Sequence, residues 1–106
     1  MIWIVTRHED TVRWVLSFQE LSQERVKVVP HLTDEHIKMM GPGDRVYGVL
    51  PLHLIHRVLR RGAEYYAVVL PRVPEDRRGA ELSIEEIRRY GGRIWKVEDL
   101  KVEEVA

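Results

Sequence analysis

Cysteine is absent from this sequence. None of the 106 residues is a cysteine, which excludes a disulfide framework and every metal site built on thiolates. A chain without cysteine also suits the reducing cytosol, where we expect the protein to act. The length predicts a single domain, residues 1–106, because a chain of this size buries one hydrophobic core and not two.

A surplus of one charge sign and a long apolar run are missing as well. Lys and Arg total 17, and Asp and Glu also total 17, so no net charge attracts the protein to nucleic acid or to a membrane. The apolar segment at residues 1–5 is too short for a secretion signal, and no later run approaches a membrane span. We therefore expect a soluble cytoplasmic protein that binds no long DNA or RNA and holds any anionic partner by a local patch.

Apolar runs of strand length alternate with segments of helical period, which is the pattern of βαβ units on a parallel sheet. The apolar runs predict strands at residues 2–6, 25–29, 45–50 and 65–70, with one long or two short edge strands between 93 and 105. The helical period predicts helices at residues 11–21, 34–40, 51–61 and 83–90. Ser83 and Glu86 have the spacing of a capping box at the start of the last helix.

The large aromatic side chains are expected to pack in the core. Trp14 and Phe18 lie on the apolar face of the first predicted helix, and Trp3 and Trp95 are assigned to packing. The neighbouring residues 65 and 66 are both tyrosines, and one of the two must face the core of a buried strand. Stacking on an adenine is therefore the less favoured interpretation for either.

Polar and basic side chains follow three of the predicted strands. Because the carboxyl ends of parallel strands meet at one edge, where loop amides and helix N-termini gather, these side chains are expected to lie on one side of the sheet. Almost no carboxylate accompanies them, so this edge fits an anionic ligand such as a phosphodiester. The residues concerned are Thr6, Arg7 and His8 after the first strand, Pro51 and His53 after the strand ending at Leu50, and Arg72, Arg77 and Arg78 after the strand ending at Leu70.

The third predicted helix carries a basic stripe, with His53, His56, Arg57 and Arg60 at helical spacing on one face. A solvated face is the favoured interpretation for Arg57, Arg60 and Arg61, whereas His53 lies in the first turn and is favoured as a site residue. A shared metal on the two histidines is disfavoured, because no Cys, Asp or Glu nearby completes a ligand shell.

Three segments, "WIVTRH", "DRVYGVLPLHLIHRVLRRGAEYYAVVLP" and "RGAELSIEEIRRYGGRI", resemble the small Csx-type CRISPR-associated proteins found beside type III systems. The similarity covers nearly the whole chain, except for residues 16–26, which we could not match. It implies a single-domain, Rossmann-like α/β fold related to CARF domains, with a mostly parallel sheet and helices on both faces. It also implies a ring nuclease that cleaves cyclic oligoadenylate, and cyclic tetra-adenylate in particular. The family's motifs fall on Thr6, Arg7 and His8, on Gly48, Leu50, Pro51 and His53, and on Arg78, Gly79, Glu81, Leu82 and Ser83.

Such a reaction needs no metal or cofactor, because the ribose 2'-OH beside each phosphodiester is already the nucleophile. Arg7 and one of Arg77 or Arg78 are predicted to clamp phosphate oxygens. His8 or His53 is predicted to act as the acid or the base, since an imidazole titrates near neutral pH. The expected products are linear adenylates that end in a 2',3'-cyclic phosphate.

The ring is two-fold symmetric and the chain is small, so we expect a homodimer whose axis passes through the ligand. Two other classes of function fit the same residues. A non-catalytic sensor or sponge would use the arginines but gain nothing from the histidines. A protein-interaction domain would present the basic helix face to an acidic partner and bind no cyclic oligoadenylate.

Overall fold

The computed structural model of the protein describes residues 1–18 and 25–106. Nine helices and strands and one short 3-10 turn follow one another along this part of the chain. They are β1 (Ile2–Val5), α1 (Glu9–Leu16), β2 (Val26–Val29), α2 (Asp34–Met39), β3 (Arg45–Gly48), α3 (Leu52–Arg60), β4 (Glu64–Val69), the 3-10 turn Glu75–Arg77, α4 (Ile84–Arg89) and β5 (Arg93–Val97).

The strands form one sheet in the order β2-β1-β3-β4-β5. Strands β1 to β4 are parallel, and β5 pairs with β4 in the antiparallel direction. From β1 the chain passes outward to β2 and then returns to the other side of β1 to form β3, so the strand order reverses between β1 and β3. The predicted α/β fold with a mostly parallel sheet is confirmed, and the topology is consistent with a Rossmann-like fold.

The sheet is covered on both faces, as predicted. One apolar layer contains Trp14 of α1 and Ile87 of α4, and the other contains Ile37 of α2 and Val58 of α3. All four residues of β1 are buried, as the continuous apolar run of a central parallel strand requires. No helix in the described ranges is long and apolar enough to cross a membrane.

Two aromatic side chains that were expected in the core are exposed. Phe18 is 62% exposed because α1 ends at Leu16, and the Phe18 and Trp14 rings meet edge to face, with the ring centroids 5.1 Å apart. Trp95 is 60% exposed because β5 is an edge strand, where side chains have neighbours on one flank only. Trp3 and Trp14 are buried, as predicted. Leu21, the last residue assigned to the first helix, lies outside the described residues.

Several predicted boundaries differ from the observed ones, among them the ends of the third strand and of the tail. The third strand ends at Gly48, two residues early, because the chain turns there to enter α3. The tail forms one short strand, β5, and residues 98–106 have no regular secondary structure. Gly62 ends α3 with a φ of +83°, as expected for a glycine after a helix.

The predicted capping box at the start of α4 is present. The Ser83 hydroxyl accepts from the backbone N–H of Glu86, and the Glu86 carboxylate accepts from the backbone N–H of Ser83, both at 3.2 Å. Arg77 donates to the same carboxylate at 2.7 Å. The backbone hydrogen bond from Ser83 and then the pairing with Arg77 hold the pKa of Glu86 below its ordinary value of 4.5.

The charge of Glu86 is therefore expected to stabilise the fold in a pH-dependent way. A carboxyl with a lowered folded-state pKa contributes stability that is complete above its unfolded pKa and is lost as the pH falls through the folded value. Glu86→Gln should lower the melting temperature at neutral pH, and its difference from the wild type should shrink as the pH falls below 4.5. Glu85→Gln, at the exposed neighbouring position, is the control. Equal effects of the two substitutions at every pH would contradict this prediction.

Candidate functional site

A cleft of about 470 Å³ opens at the carboxyl edge of the parallel strands. Its walls come from three loops, residues 6–8 after β1, 30–32 after β2 and 48–51 after β3, with Leu70 and Gly79 on the side of β4. The cleft lies where the strand order reverses between β1 and β3. In open α/β sheets this is the place where ligands bind, because the loops on either side of the reversal diverge and leave a crevice.

The charged and titratable side chains that line this cleft are Arg7, His8 and His31, and no carboxylate lines it within the described part of the chain. The hydroxyl side chains of Thr6 and Thr11 are also among the lining residues. A guanidinium, two imidazoles and two hydroxyls can all donate hydrogen bonds to phosphate oxygens. The cleft therefore fits an anion and repels none.

The loop after β1 is fixed by its own hydrogen bonds. The backbone N–H of Thr6 donates to the Val29 carbonyl at 2.9 Å, which extends the pairing of β1 with β2 by one step. The Thr6 hydroxyl then accepts from the backbone N–H of His8 at 3.1 Å. His8 consequently occupies the position that precedes α1. The hydroxyl of Thr6 thus holds the turn that carries Arg7 and His8.

The loop after β3 depends on Tyr65, which is 1% exposed. The Tyr65 hydroxyl donates to the Gly48 carbonyl at 2.6 Å and accepts from the backbone N–H of Leu50 at 3.2 Å. Burial raises the pKa of Tyr65, so the hydroxyl keeps its proton. Of the two adjacent tyrosines, Tyr65 is the one that faces the core. Its hydroxyl supports the wall of the cleft that residues 48–51 form.

Gly48 allows this loop to approach β1 closely. A Cβ at this position would lie 2.6 Å from the Val5 carbonyl oxygen, and the φ of +154° is one that residues with side chains rarely adopt. Gly48, Leu50 and Pro51 all line the cleft. These predicted ligand-binding residues therefore contribute backbone and shape to the site rather than charge.

A smaller cleft of about 290 Å³ adjoins the first and is lined by Arg77 and Arg78. His8 and Gly79 line both clefts. Arg77 is paired with Glu86 at 2.7 Å, and this hydrogen-bonded pair raises the pKa of Arg77. Arg78 is exposed and is the better placed of the two to reach a ligand, because Arg77 already has a carboxylate partner.

Two predicted site residues are not brought to these clefts. His53 lies in the first turn of α3, is exposed, and lines neither cleft in the described part of the molecule. Arg72 follows β4, but its guanidinium lies against Gly91, where an added Cβ would be 2.6 Å from a guanidinium nitrogen. The side chains of His53 and Arg72 are therefore not among the lining residues of either cleft.

Two arginines near the end of α3 have structural partners: Arg57, which belongs to the basic stripe, and Arg61, which follows the helix. Arg57 pairs with Asp34 at 2.7 Å, which lowers the pKa of that carboxyl. Arg61 donates to the carbonyls of Lys38 and Met40 at 2.8 and 3.1 Å and so satisfies the end of α2. For these two arginines, contacts between α3 and α2 explain the basic character of the helix.

A larger cleft of about 650 Å³ lies at the opposite edge of the sheet, between α3 and residues 96–102. Its lining mixes cations and anions, among them Arg60, Lys96, Glu64 and Glu98. A surface with both signs does not select an anionic ligand. The cleft of about 470 Å³ at the carboxyl edge, with no carboxylate among its described lining residues, remains the candidate site.

Three residues of the site were missed in the sequence. His31 and Thr11 line the cleft of about 470 Å³ at the carboxyl edge, called the main cleft below, and Tyr65 supports it. His31 follows the strand that ends at Val29, so the rule that located Thr6 and Pro51 at strand ends applies to it equally. No sequence pattern points to the hydrogen bonds of Tyr65, because they depend on the packing of β4 against β3.

Tyr65→Phe tests the support of the cleft wall. The substitution leaves the Gly48 carbonyl and the Leu50 amide without their partner in a buried place, which should cost about 1–3 kcal/mol of unfolding free energy. Tyr66→Phe is the matched control, because the Tyr66 hydroxyl donates to the partly exposed carboxylate of Glu64. Urea denaturation measures both variants, and equal losses of stability would contradict the role given to Tyr65.

The chain matches a known protein family. The family described as "Putative CRISPR-associated protein (Cas_VVA1548)" matches residues 3–100. That span includes all the loops that form the two clefts at the carboxyl edge. No curated protein and no solved structure matched the chain.

Proposed function

The chain belongs to the Cas_VVA1548 family of CRISPR-associated proteins, and on that premise we propose that it is a cytoplasmic ring nuclease for cyclic oligoadenylate, with cyclic tetra-adenylate as the first candidate. The observation that carries this proposal is the cleft at the β1/β3 reversal, whose charged or titratable lining residues are Arg7, His8 and His31. A phosphodiester is the anion that this combination both binds and can cleave. Removal of the messenger would switch off type III signalling.

The chemistry uses the ribose 2'-OH next to the scissile phosphodiester as nucleophile. Arg7 neutralises charge on the phosphoryl oxygens, for which a guanidinium offers two parallel N–H donors. His8 transfers a proton, and the Thr6 hydroxyl keeps its backbone in place. Arg78 lines the smaller cleft, and in this proposal it binds a neighbouring phosphate of the same ring. No metal or cofactor enters this scheme.

A single cleft of about 470 Å³ has the size of a site for a small ligand and holds only part of a tetranucleotide ring. Two exposed apolar residues adjoin it, Val49 at 74% and Leu52 at 59% exposed. Exposed apolar surface beside a binding site is typical of a protein interface. We therefore include in the proposal a homodimer in which two copies of the cleft face one ring.

Replacing an exposed apolar residue at the rim of the cleft by a charged one tests the dimer. Val49→Glu should convert the protein to a monomer in sedimentation equilibrium and weaken its binding of the ring, because the carboxylate cannot be buried between two copies. Met39→Glu, at an exposed apolar position on α2, is the control and should leave the dimer intact. A wild-type protein that is monomeric and still cleaves the ring would contradict this part of the proposal.

The activity is tested by incubating the protein with radiolabelled cyclic tetra-adenylate in excess EDTA and resolving the products over time. We expect linear adenylates with a 2',3'-cyclic phosphate end. Arg7→Ala should weaken binding at least about tenfold, since a charged hydrogen bond contributes about 1.5–3 kcal/mol. His8→Ala should keep binding but slow cleavage by about 10²- to 10⁴-fold. Arg60→Ala removes the same charge at the opposite edge of the sheet and should change neither quantity.

Two other results would replace the proposal. Tight binding of a ring that stays intact, with or without divalent metal, would make the protein a sensor or sponge. Absence of binding to any cyclic oligoadenylate would instead favour a protein-interaction domain.

A further inference from the structure

His31 occupies a position opposite the loop that carries His8. Strands β1 and β2 are paired in register, with Val5 beside Val29, and the Thr6 amide continues that pairing to the Val29 carbonyl. The residues that follow the two strands are therefore neighbours across the cleft. Pro30 separates the buried Val29 from His31, and its fixed φ limits the directions that the chain can take at this point.

The imidazole of His31 is free to meet a ligand. His31 is exposed, lines the main cleft, and has no hydrogen bond or ion pair with any residue that the structure describes. By contrast, His36, on the next helix, already serves as a cap, because its Nδ1 accepts from the Thr33 amide at 3.2 Å. The other charged or titratable side chains facing His31 from the described lining of the cleft are Arg7 and His8.

We propose that His31 is the second proton-transfer residue of the cleft and acts together with His8, an inference that rests on the proposed ring-nuclease function. Cleavage by the 2'-OH needs a base on one side of the phosphorus and an acid on the other, because the attacking and leaving oxygens are in line. Side chains from two adjacent loops can stand on both sides of one phosphate. A single imidazole cannot reach both sides at once.

The step balances without water or metal. One imidazole takes the proton of the 2'-OH, and the 2' oxygen forms a bond to phosphorus. The bond between phosphorus and the 5' oxygen breaks, and the second imidazole, protonated at the start, gives its proton to that oxygen. The products are a 2',3'-cyclic phosphate and a 5'-hydroxyl. One histidine gains the proton that the other loses, so the net protonation of the pair is unchanged.

The test compares His31→Asn, His53→Asn and the wild type in single-turnover cleavage of cyclic tetra-adenylate across a range of pH. The wild type should show a bell-shaped rate profile, since one imidazole must be neutral and the other protonated. His31→Asn should reduce the rate by about 10²-fold or more and remove one limb of the bell, with the dissociation constant changed by less than about threefold. His56→Asn, at the opposite edge of the sheet, is the matched control and should leave the profile intact.

His31→Ala provides a second measurement, because added imidazole should restore part of its rate and none of the rate of an inactive Arg7→Ala variant. The inference fails if the wild type cleaves the ring and His31→Asn keeps its rate and both limbs of its profile. It also fails if His53→Asn, and not His31→Asn, removes a limb. A wild-type protein that does not cleave the ring would overturn the proposed function and this inference together.

Discussion

The geometry of the site depends on one buried hydroxyl. Tyr65 joins the Gly48 carbonyl to the Leu50 amide at the point where β3 gives way to the turn before α3. Without that bridge, the Gly48 carbonyl and the Leu50 amide would each lose this partner in a buried place, so the bridge favours the observed conformation of the turn. The close approach of Gly48 to Val5 then brings this turn against the end of β1. The cleft between the two loops is a consequence of these two contacts.

A chain with no net charge can still bind an anion if its carboxylates lie away from the binding site. In this protein, several acidic side chains pair with cations and do not line the cleft, among them Asp34 with Arg57, Glu64 with Lys96 and Glu86 with Arg77. Asp10, on α1, accepts from the Ile84 amide at 3.1 Å and does not line the cleft. These pairs tie helices and loops to each other and leave the described lining of the cleft free of negative charge. Local arrangement, not overall composition, therefore sets the charge of the cleft.

Much of this could be predicted from the sequence, because parallel strands deliver the residues that follow them to one edge. That rule placed Thr6, Arg7 and His8 correctly, and it would have placed His31 had it been applied to the second strand. It failed for Arg72 and His53, since a position at a strand end or in a first helical turn does not determine where a long side chain or a helix face points. Phe18 was assigned to the core for a similar reason, because helical spacing continued past the residue at which the helix ends.

The roles of Tyr65, Arg57 and Arg61 could not be predicted. Each bonds to groups on another element, and such contacts depend on how the layers pack rather than on spacing along the chain. The basic stripe on α3 is an example, because contacts with α2 explain its Arg57, as they explain the neighbouring Arg61, and only the tertiary structure reveals them. Charge on a helix face is therefore weak evidence for a ligand, whereas a cleft at a strand reversal is stronger.

The central claim is that the carboxyl edge of the sheet holds the phosphodiester ligand, and a titration of ¹⁵N-labelled protein with cyclic tetra-adenylate tests it most directly. We expect the amide resonances of residues 6–8, 31 and 48–50 to shift with a common dissociation constant, while those of residues 98–102 at the opposite edge stay in place. Shifts confined to the opposite edge, or no shifts at saturating ligand, would contradict the account.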